Sequence, residues 1–361
     1  MAGRNKITDA TAALFTDSVD RIPETFIRTD EVQAAGAVVG EDETFELPVV
    51  DMASLLDPKL SASETAKLGS ACREWGFFQL TNHGVDEEAM QQIKDSVVEF
   101  FRSPLEAKNA VAVRGDAGIQ GFGHQFSPAS SDKLDWAECL LLFTQPVQDR
   151  NMDLWPATSP PTFRHALERY SVEIGDLTRR LLGFMAADLG VSPAALLGAF
   201  FVGDGAAKGQ SVSMHHYPAC GRRHRDKVVG IPPHTDTLGL TLLLQADDTP
   251  GLQVRRAGRW FPVRPLPGAL VVNVGDVMEV LSNGAYGSAL HRVVPHAERG
   301  RTTVAMFHDA YVDGVVAPLP ELLRGGEATA RYRAVGKVEY DAGSAETLAA
   351  GGRFLDSLKT M

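Results

Sequence analysis

Two histidines and an aspartate are spaced so that they could bind one metal ion. His234 and Asp236 lie two positions apart in the segment Pro-Pro-His-Thr-Asp, and side chains two apart in an extended chain face the same way. His291 follows 55 residues after Asp236, in a segment with the character of a second strand. Two imidazoles and one carboxylate on one face of an ion are typical of non-haem Fe(II) oxygenases, which keep three coordination positions open.

The His-x-Asp spacing alone is a weak signal. The chain has ten histidines, and about one such pair is expected by chance in a chain of this size. Without further evidence, His234 and Asp236 are explained as a hydrogen-bonded loop pair and His291 as a buried strand histidine. A zinc ion with a bound water, serving hydrolysis, is another interpretation of the same three residues.

A basic strand after His291 favours the iron interpretation. Arg301 and Thr303 begin ten residues later, beyond a predicted hairpin, and strand alternation puts both on one face with Phe307. A buried guanidinium beside a hydroxyl suits two-point capture of a carboxylate, for which arginine is better shaped than lysine. The alternative is a surface arginine in a basic turn, but a metal triad followed by a carboxylate clamp is harder to explain as coincidence.

The elements that must position these residues fall into a helix-rich first part and a β-rich second part. Apolar periodicity predicts helices at 61–75, 86–101, 161–189 and 192–201. From about residue 208, short β-prone runs recur between Gly, Pro and Asp clusters, which is typical of a β-sandwich or jelly roll. Strands are predicted at 46–51, 76–80, 211–217, 238–245, 252–255, 269–274, 290–294 and 302–307.

The predicted fold is mixed α+β, with a double-stranded β-helix (jelly-roll) core flanked by N-terminal and C-terminal helices. An N-terminal arm is predicted at 1–45 and a helix-rich region at 46–207. The jelly-roll core is predicted at 208–312 and a helical C-terminal segment at 313–361.

Composition argues against several classes of partner. The 35 Lys and Arg residues against 46 Asp and Glu give a net charge of −11, which disfavours nucleic acid and anionic membranes. Three widely spaced cysteines make neither a disulfide framework nor a thiolate zinc site and suit a reducing compartment. No signal peptide and no run of eighteen apolar residues is found. We therefore expect a cytoplasmic protein with a small-molecule ligand and no obligate protein partner.

Taken together, the motifs resemble the plant-type 2-oxoglutarate, Fe(II)-dependent dioxygenases, which include flavonoid, gibberellin and specialised-metabolite oxygenases. The resemblance runs from about Leu47 to Met361. Its marks are Trp75-Gly-Phe-Phe-Gln-Leu-Thr-Asn-His83-Gly, Met214-His-His-Tyr217-Pro-Ala-Cys220, His234-Thr-Asp236, Gly251-Leu-Gln-Val, Asn273-Val-Gly-Asp276, His291-Arg-Val and Arg301-Thr-Thr303. Three further segments look closest to grass enzymes of the herbicide-detoxifying, triketone dioxygenase-like type: Leu134-Asp-Trp136, Asn151-Met-Asp-Leu-Trp155 and Phe354-Leu-Asp-Ser-Leu358.

The resemblance implies a role for each chemistry-bearing residue. It assigns iron to His234, Asp236 and His291, and the far carboxylate of 2-oxoglutarate to Arg301 and Thr303. It also implies Fe(II) as cofactor and 2-oxoglutarate and O2 as cosubstrates, with ascorbate as a candidate reductant. No catalytic side chain beyond the metal ligands is required.

Three positions near the cosubstrate either match the family pattern or depart from it. Tyr217 matches the family tyrosine that contacts the cosubstrate, whereas His215 stands where asparagine is usual. Strand alternation turns His215 and Tyr217 inward and His216 outward. A hydrogen bond from His215 to 2-oxoglutarate is a hypothesis, because an imidazole is bulkier than an amide and can become cationic. Thr303, in place of the usual serine, keeps the hydroxyl and adds a methyl group.

The resemblance further implies oxidation of a small molecule, such as a specialised metabolite, hormone or xenobiotic, and four phenylalanines together favour a largely apolar aromatic or alicyclic one. Hydroxylation, demethylation and desaturation are the candidate outcomes, each with release of succinate and CO2. The aromatic residues predicted to line the substrate pocket, each of which taken singly is better explained as core, are Phe143, Phe307, Phe122 and Phe126. The alternative function is a catalytically silent small-molecule sensor on the same fold.

Overall fold

The structure, a computed structural model, describes residues 22–29, 46–114, 118–123, 133–157, 162–203, 205, 207–310, 314–323, 329–349 and 351–360. Its helices are Met52–Leu56 (α1), Ser61–Glu74 (α2), Glu87–Arg102 (α3), Leu105–Ala110 (α4), Phe163–Leu189 (α5), Pro193–Phe200 (α6), Asp276–Leu281 (α7), Lys337–Ala349 (α8) and Leu355–Leu358 (α9). Its strands are Val49–Asp51 (β1), Phe77–Thr81 (β2), Gly121–Gly123 (β3), Glu138–Gln145 (β4), Gly209–Tyr217 (β5), Ile231–His234 (β6), Leu240–Gln245 (β7), Leu252–Arg256 (β8), Arg259–Pro262 (β9), Leu270–Val274 (β10), His291–Val293 (β11), Arg301–Asp309 (β12), Val315–Val316 (β13) and Val335–Gly336 (β14).

The long helices begin and end at residues that cap them. The carboxylate of Asp86 accepts a hydrogen bond from the backbone N–H of Ala89 at the start of α3. Helix α5 ends at Gly190, whose φ of 70° lies in the left-handed region that glycine adopts without strain. The predicted helices at 61–75, 86–101 and 161–189 are thus confirmed to within two residues at each end.

Two sheets face each other and form the jelly roll. The larger sheet has the strand order β1-β2-β10-β7-β12-β5-β4-β3, and the smaller has the order β6-β11-β8-β9. Strands β5 and β12 pair antiparallel over their full length, from Arg301 opposite Tyr217 to Asp309 opposite Gly209. The predicted mixed α+β class with a double-stranded β-helix core is confirmed.

The apolar side chains form two layers on either side of the larger sheet. On its outer face, α2, α3 and α5 pack their apolar sides onto strand residues such as Leu140, Met214 and Val304, all fully buried. Between the sheets, Phe77 and Val271 of the larger sheet meet Val254 and Val293 of the smaller. Directly paired residues on neighbouring strands have their side chains on the same face of the sheet. The register therefore also identifies the residues that line the space between the two sheets.

The predicted boundary at 207/208 does not separate the sheets. Strands β1 to β4 precede it, yet they extend the sheet that contains β5 and β12. The four predicted segments of the chain therefore reflect a change from helix-rich to β-rich sequence, and they stay predictions. Among the described residues, no helix has the length and apolar character needed to cross a bilayer.

Candidate metal centre and cosubstrate site

Three side chains, two on the smaller sheet and one in the loop after β6, converge on one point. Strand β6 ends at His234, which lies directly opposite His291 of β11, and Asp236 follows two residues after β6. Oδ1 of Asp236 is 3.6 Å from Nε2 of His234 and 3.5 Å from Nε2 of His291. The three ligand atoms lie within 4.8 Å of one another, which is the spacing of donors around a single cation.

The ring orientations of both histidines suit metal binding. Nδ1 of His234 is 2.9 Å from the carbonyl oxygen of Pro232, and Nδ1 of His291 is 3.1 Å from that of Ala289. A carbonyl oxygen can only accept a hydrogen bond, so each Nδ1 carries the proton. In the neutral rings each Nε2 therefore presents its lone pair towards the point where the three side chains meet, as metal-bound histidines do. The donor set fits a divalent metal ion.

The two oxygens of Asp236 have different surroundings. Oδ2 accepts hydrogen bonds from Oγ1 of Thr241 at 2.5 Å and from Nδ2 of Asn273 at 2.7 Å. Oδ1 faces the two imidazoles. The hydrogen bonds therefore fix the carboxylate and leave one oxygen for a cation. Sequence reasoning assigned no role to Thr241 or Asn273, although Asn273 lies in a segment that carried the family resemblance.

The charges of the three residues are coupled. Burial alone would raise the pKa of the Asp236 carboxyl, but His291, His234 and the Thr241 hydroxyl hold it below its usual range. Burial, with the neighbouring His234, lowers the pKa of His291 to about 4. Burial also acts against charge on His234, yet Asp236 raises the pKa of that ring. A cation binding here therefore meets an ionised carboxylate and a neutral His291, and displaces any proton on His234.

Arg301, the first residue of β12 in the larger sheet, places a positive charge inside the molecule. The residue is only 2% exposed, and its guanidinium lies 5.4 Å from the centre of the Tyr217 ring. Nε and Nη2 donate to Oε1 of Gln245 at 3.3 and 3.1 Å. Burial lowers the pKa of the guanidinium, but an arginine stays charged under all ordinary conditions. The neutral amide orients the fork without neutralising it, so the group remains available to a carboxylate.

The register brings the other predicted cosubstrate residues beside Arg301. Arg301 is paired with Tyr217, and Thr303 with His215, so all four side chains share the inner face. The His215 and Tyr217 rings stack 5.6 Å apart with an angle of 13° between their planes. His216 points outward, where Nδ1 lies 3.0 Å from the hydroxyl of Thr302. The predicted facing of all three residues is observed.

His215 is a neutral ring in this environment. Burial, together with the charges of Arg301 and His234, lowers its pKa to about 3. The cationic form that the sequence left open therefore does not occur at neutral pH.

The three predicted pocket residues that the structure describes lie in two different places. Phe143 and Phe307 are paired with Ser211 from its two sides, and both are half-buried on the inner face. Phe122 is wholly buried, because alternation along β3 turns it to the outer face, against Phe100. It lies in the helix-side core, so we exclude it from the pocket. Phe126 lies outside the described residues.

Both the N-terminal and the C-terminal half of the chain are similar to known proteins. Residues 47–158 match the model for the N-terminal region of a non-haem dioxygenase in morphine synthesis, and residues 208–310 match the 2OG-Fe(II) oxygenase superfamily. The chain is 38% identical to S-norcoclaurine synthase 1 of Coptis japonica over 89% of its length and 88% of that protein. It is 35% identical to oxoglutarate-dependent flavonoid 7-O-demethylase 1 of Ocimum basilicum, over 87% and 82%. The crystal structure of JOX2 in complex with 2OG, Fe, and JA covers 97% of both chains with a TM-score of 0.82, at 28% identity.

Proposed function

The chain belongs to the 2OG-Fe(II) oxygenase superfamily, and on that premise we propose a substrate class and an assignment of its site residues. It is a 2-oxoglutarate-dependent non-haem iron dioxygenase, with O2 as the second cosubstrate, as the sequence predicted. The substrate we propose is a small, largely apolar aromatic or alicyclic metabolite, hormone or xenobiotic. It is hydroxylated, demethylated or desaturated with release of succinate and CO2.

His234, Asp236 and His291 are the proposed iron ligands. The observation that carries this assignment is the convergence of two Nε2 lone pairs and one free carboxylate oxygen on a single point. Iron held by these three residues would supply the capacity to activate O2. The protein groups contribute orientation: the two backbone carbonyls fix the rings, and Thr241 and Asn273 fix the carboxylate.

Arg301, Thr303, Tyr217 and His215 are the proposed 2-oxoglutarate residues. The guanidinium holds the far carboxylate of the diacid, with the Thr303 hydroxyl two residues along the same face as a second donor. The stacked rings of His215 and Tyr217 form a wall beside it, and each ring carries a group that can hydrogen-bond the cosubstrate. Because all four groups are buried, water is largely excluded and the charge pair is stronger than it is at a surface.

Phe143 and Phe307 are the proposed substrate contacts. Both lie in one row across the inner face, and that row continues through Thr241 and Asn273, the residues that hold Asp236. Aromatic walls next to the metal site favour a flat, weakly polar substrate over a charged metabolite. Ser211, between the two phenylalanines, offers a hydroxyl for orientation.

Anaerobic titration with Fe(II) and 2-oxoglutarate tests the site assignment. The wild-type protein should develop the weak visible charge-transfer band of the iron chelate, and His234→Ala should not. His83→Gln is the matched control, since the His83 ring bonds backbone groups of Gly268 and Val85 outside the site. No band in the wild type, or an undiminished band in His234→Ala, contradicts the assignment.

An oxygen-dependent screen of flavonoids, indoles, terpenoid hormones and triketone herbicides tests the substrate class. A turned-over substrate should yield succinate in a 1:1 ratio to product. Product formed without O2 would favour the hydrolase interpretation, and tight binding without succinate would favour a silent sensor. The similarity to herbicide-detoxifying enzymes, the use of ascorbate, the cytoplasmic location and the lack of an obligate protein partner stay predictions.

A further inference from the structure

Helix α7 carries an acidic residue that contacts the first metal-ligand segment. Oδ2 of Asp276 accepts a hydrogen bond from the hydroxyl of Thr235 at 3.1 Å, and Thr235 stands between His234 and Asp236. The backbone N–H of Asp276 donates to the carbonyl oxygen of Asp236 at 2.7 Å. Asp276 therefore holds the turn that carries two of the three proposed ligands.

A second acidic residue, one turn along α7, contacts the other ligand segment. Oε2 of Glu279 accepts from the backbone N–H of Ser288 at 2.7 Å. The next residue, Ala289, supplies the carbonyl oxygen that orients the His291 ring. Oε1 of Glu279 accepts from the hydroxyl of Tyr332 at 2.7 Å. Glu279 therefore holds the segment that leads into the third ligand.

One guanidinium from the C-terminal segment joins these two carboxylates. Nε and Nη2 of Arg353 donate to Oδ1 of Asp276 at 3.1 and 2.7 Å, and Nη2 also donates to Oε2 of Glu279 at 2.8 Å. Asp276 and Glu279 are 1% and 8% exposed, so their negative charges repel each other with little screening. Loss of the cation between them would leave two buried like charges uncompensated.

The segment around Arg353 packs against the region that contains α7 and the His234–Asp236 turn. The hydroxyl of Tyr340 in α8 donates to the carbonyl oxygen of Thr237, the residue after Asp236, at 2.9 Å. The rings of Tyr340 and Phe354 contact each other edge to face at 5.7 Å. A Cβ added at Gly343 would lie 2.2 Å from the Phe354 ring, so the lack of a side chain there makes room for it. Arg353 is thereby held next to α7.

We propose that Arg353 is a positioning residue of the metal centre, which acts through Asp276 on the His234–Asp236 turn and through Glu279 on the His291 segment. The inference rests on the proposed iron ligands. It adds that the C-terminal segment sets how tightly they hold a metal. Arg353 touches no ligand itself, so its contribution is to the preorganisation of both segments, which supporting residues of this kind supply at metal sites.

Metal affinity and fold stability, measured separately, test the proposal. Mn(II) is titrated without O2 into the full chain, and the free ion is followed by electron paramagnetic resonance. Arg353→Met should weaken Mn(II) binding about 10- to 100-fold, and Arg353→Lys, which keeps the charge but not the fork, should lie in between. Arg73→Met is the matched control: it removes the two-point pair of α2 with Asp188 of α5 and should lower stability to urea without changing Mn(II) affinity beyond about twofold.

Gly343→Ala gives an independent test that leaves Arg353 in place. The added methyl group displaces the Phe354 ring and with it the guanidinium, so Mn(II) binding should weaken in the same direction. If Arg353→Met does not fold, Gly343→Ala and Arg353→Lys decide the question. Unchanged Mn(II) affinity in these variants, or an equal loss in Arg73→Met, overturns the proposal alone. Undiminished binding in His234→Ala overturns the ligand assignment and the proposal with it.

Discussion

Asp236 uses one carboxylate oxygen for hydrogen bonds and the other for the proposed metal, and this division can be tested. Asn273→Ala removes the 2.7 Å hydrogen bond to Oδ2 and lets the carboxylate rotate. We expect Fe(II) or Mn(II) binding to weaken about tenfold, while 2-oxoglutarate affinity measured on the metal-saturated protein stays near its original value. Thr241→Val, which removes the other donor to the same oxygen, should have a similar effect. Equal metal affinity in both variants and the wild type contradicts this reading.

The neutral ring of His215 lies beside the proposed cosubstrate site. Because it can hydrogen-bond a ligand there, its removal should weaken 2-oxoglutarate binding. His215→Ala should raise the KM for 2-oxoglutarate by about two- to tenfold, the value of one hydrogen bond. His215→Asn restores a donor and should recover part of the loss. His216→Asn, one residue away on the outer face, is the control. A KM that does not move in either His215 variant rules out the role.

At the scale of residues, the side chains proposed to contact a ligand could be predicted from the sequence. The residues that orient those side chains could not. Residue type and spacing pointed to His234, Asp236 and Arg301, because few side chains suit iron or a carboxylate. Gln245 and Arg353 left no comparable signal. Each acts through a contact with a residue more than fifty positions away, so its role depends on a register and a chain path that local patterns do not contain.

At the scale of elements, the loop that joins β7 to β8 approaches Arg301 so closely that a side chain there should disturb cosubstrate binding. A Cβ at Gly251 would lie 2.9 Å from the carbonyl oxygen of Val294 and 3.0 Å from Cδ of Arg301. Gly251→Ala should therefore raise the KM for 2-oxoglutarate several-fold and leave metal affinity unchanged. Gly183→Ala, in α5 with open space around it, is the control and should stabilise the helix by about 0.5–1 kcal/mol. An unaltered KM in Gly251→Ala would show that the backbone before β8 shifts to accommodate the methyl group without moving Arg301.

Elements with a clear period were predicted, and short or irregular ones were missed. The apolar alternation of β5, β7 and β12 and the helical stripe of α5 appear in the sequence almost to their ends. Strand β6 contains two prolines, which lack the N–H of a central strand, and it lies at the edge of its sheet, where prolines are tolerated. Helix α7 has six residues, too few for a period to be recognised. Both elements border the metal site.

For the whole molecule, buried histidines predict a loss of stability in mild acid. His308 is fully buried between Thr178 and Gln210, and burial lowers its pKa to about 3. Above the unfolded value of about 6.5 the ring is neutral in both states, and below it only the unfolded chain takes up the proton. The free energy of unfolding should therefore fall as pH drops from 6.5 towards 3, by up to about 1.4 kcal/mol per pH unit from this residue.

Urea unfolding at pH 7, 6 and 5 measures this dependence. His308→Gln should flatten the pH profile by the contribution of one proton, whatever it does to stability at pH 7. His165→Gln, on the exposed side of α5, is the control and should keep the wild-type slope. A His308→Gln profile parallel to that of the wild type would show that the ring takes up its proton in the folded state as well.

The contacts of Tyr340 and Arg353 with the ligand-bearing turn also order events during synthesis. The ribosome extrudes the chain from its N-terminus, so the strands of both sheets leave the exit tunnel before position 353 does. The guanidinium of Arg353 can reach α7 only after it has emerged as well. A nascent chain can therefore complete its jelly roll before the residue that positions the metal-ligand segments is in place, and a premature stop at or before codon 353 should weaken metal binding.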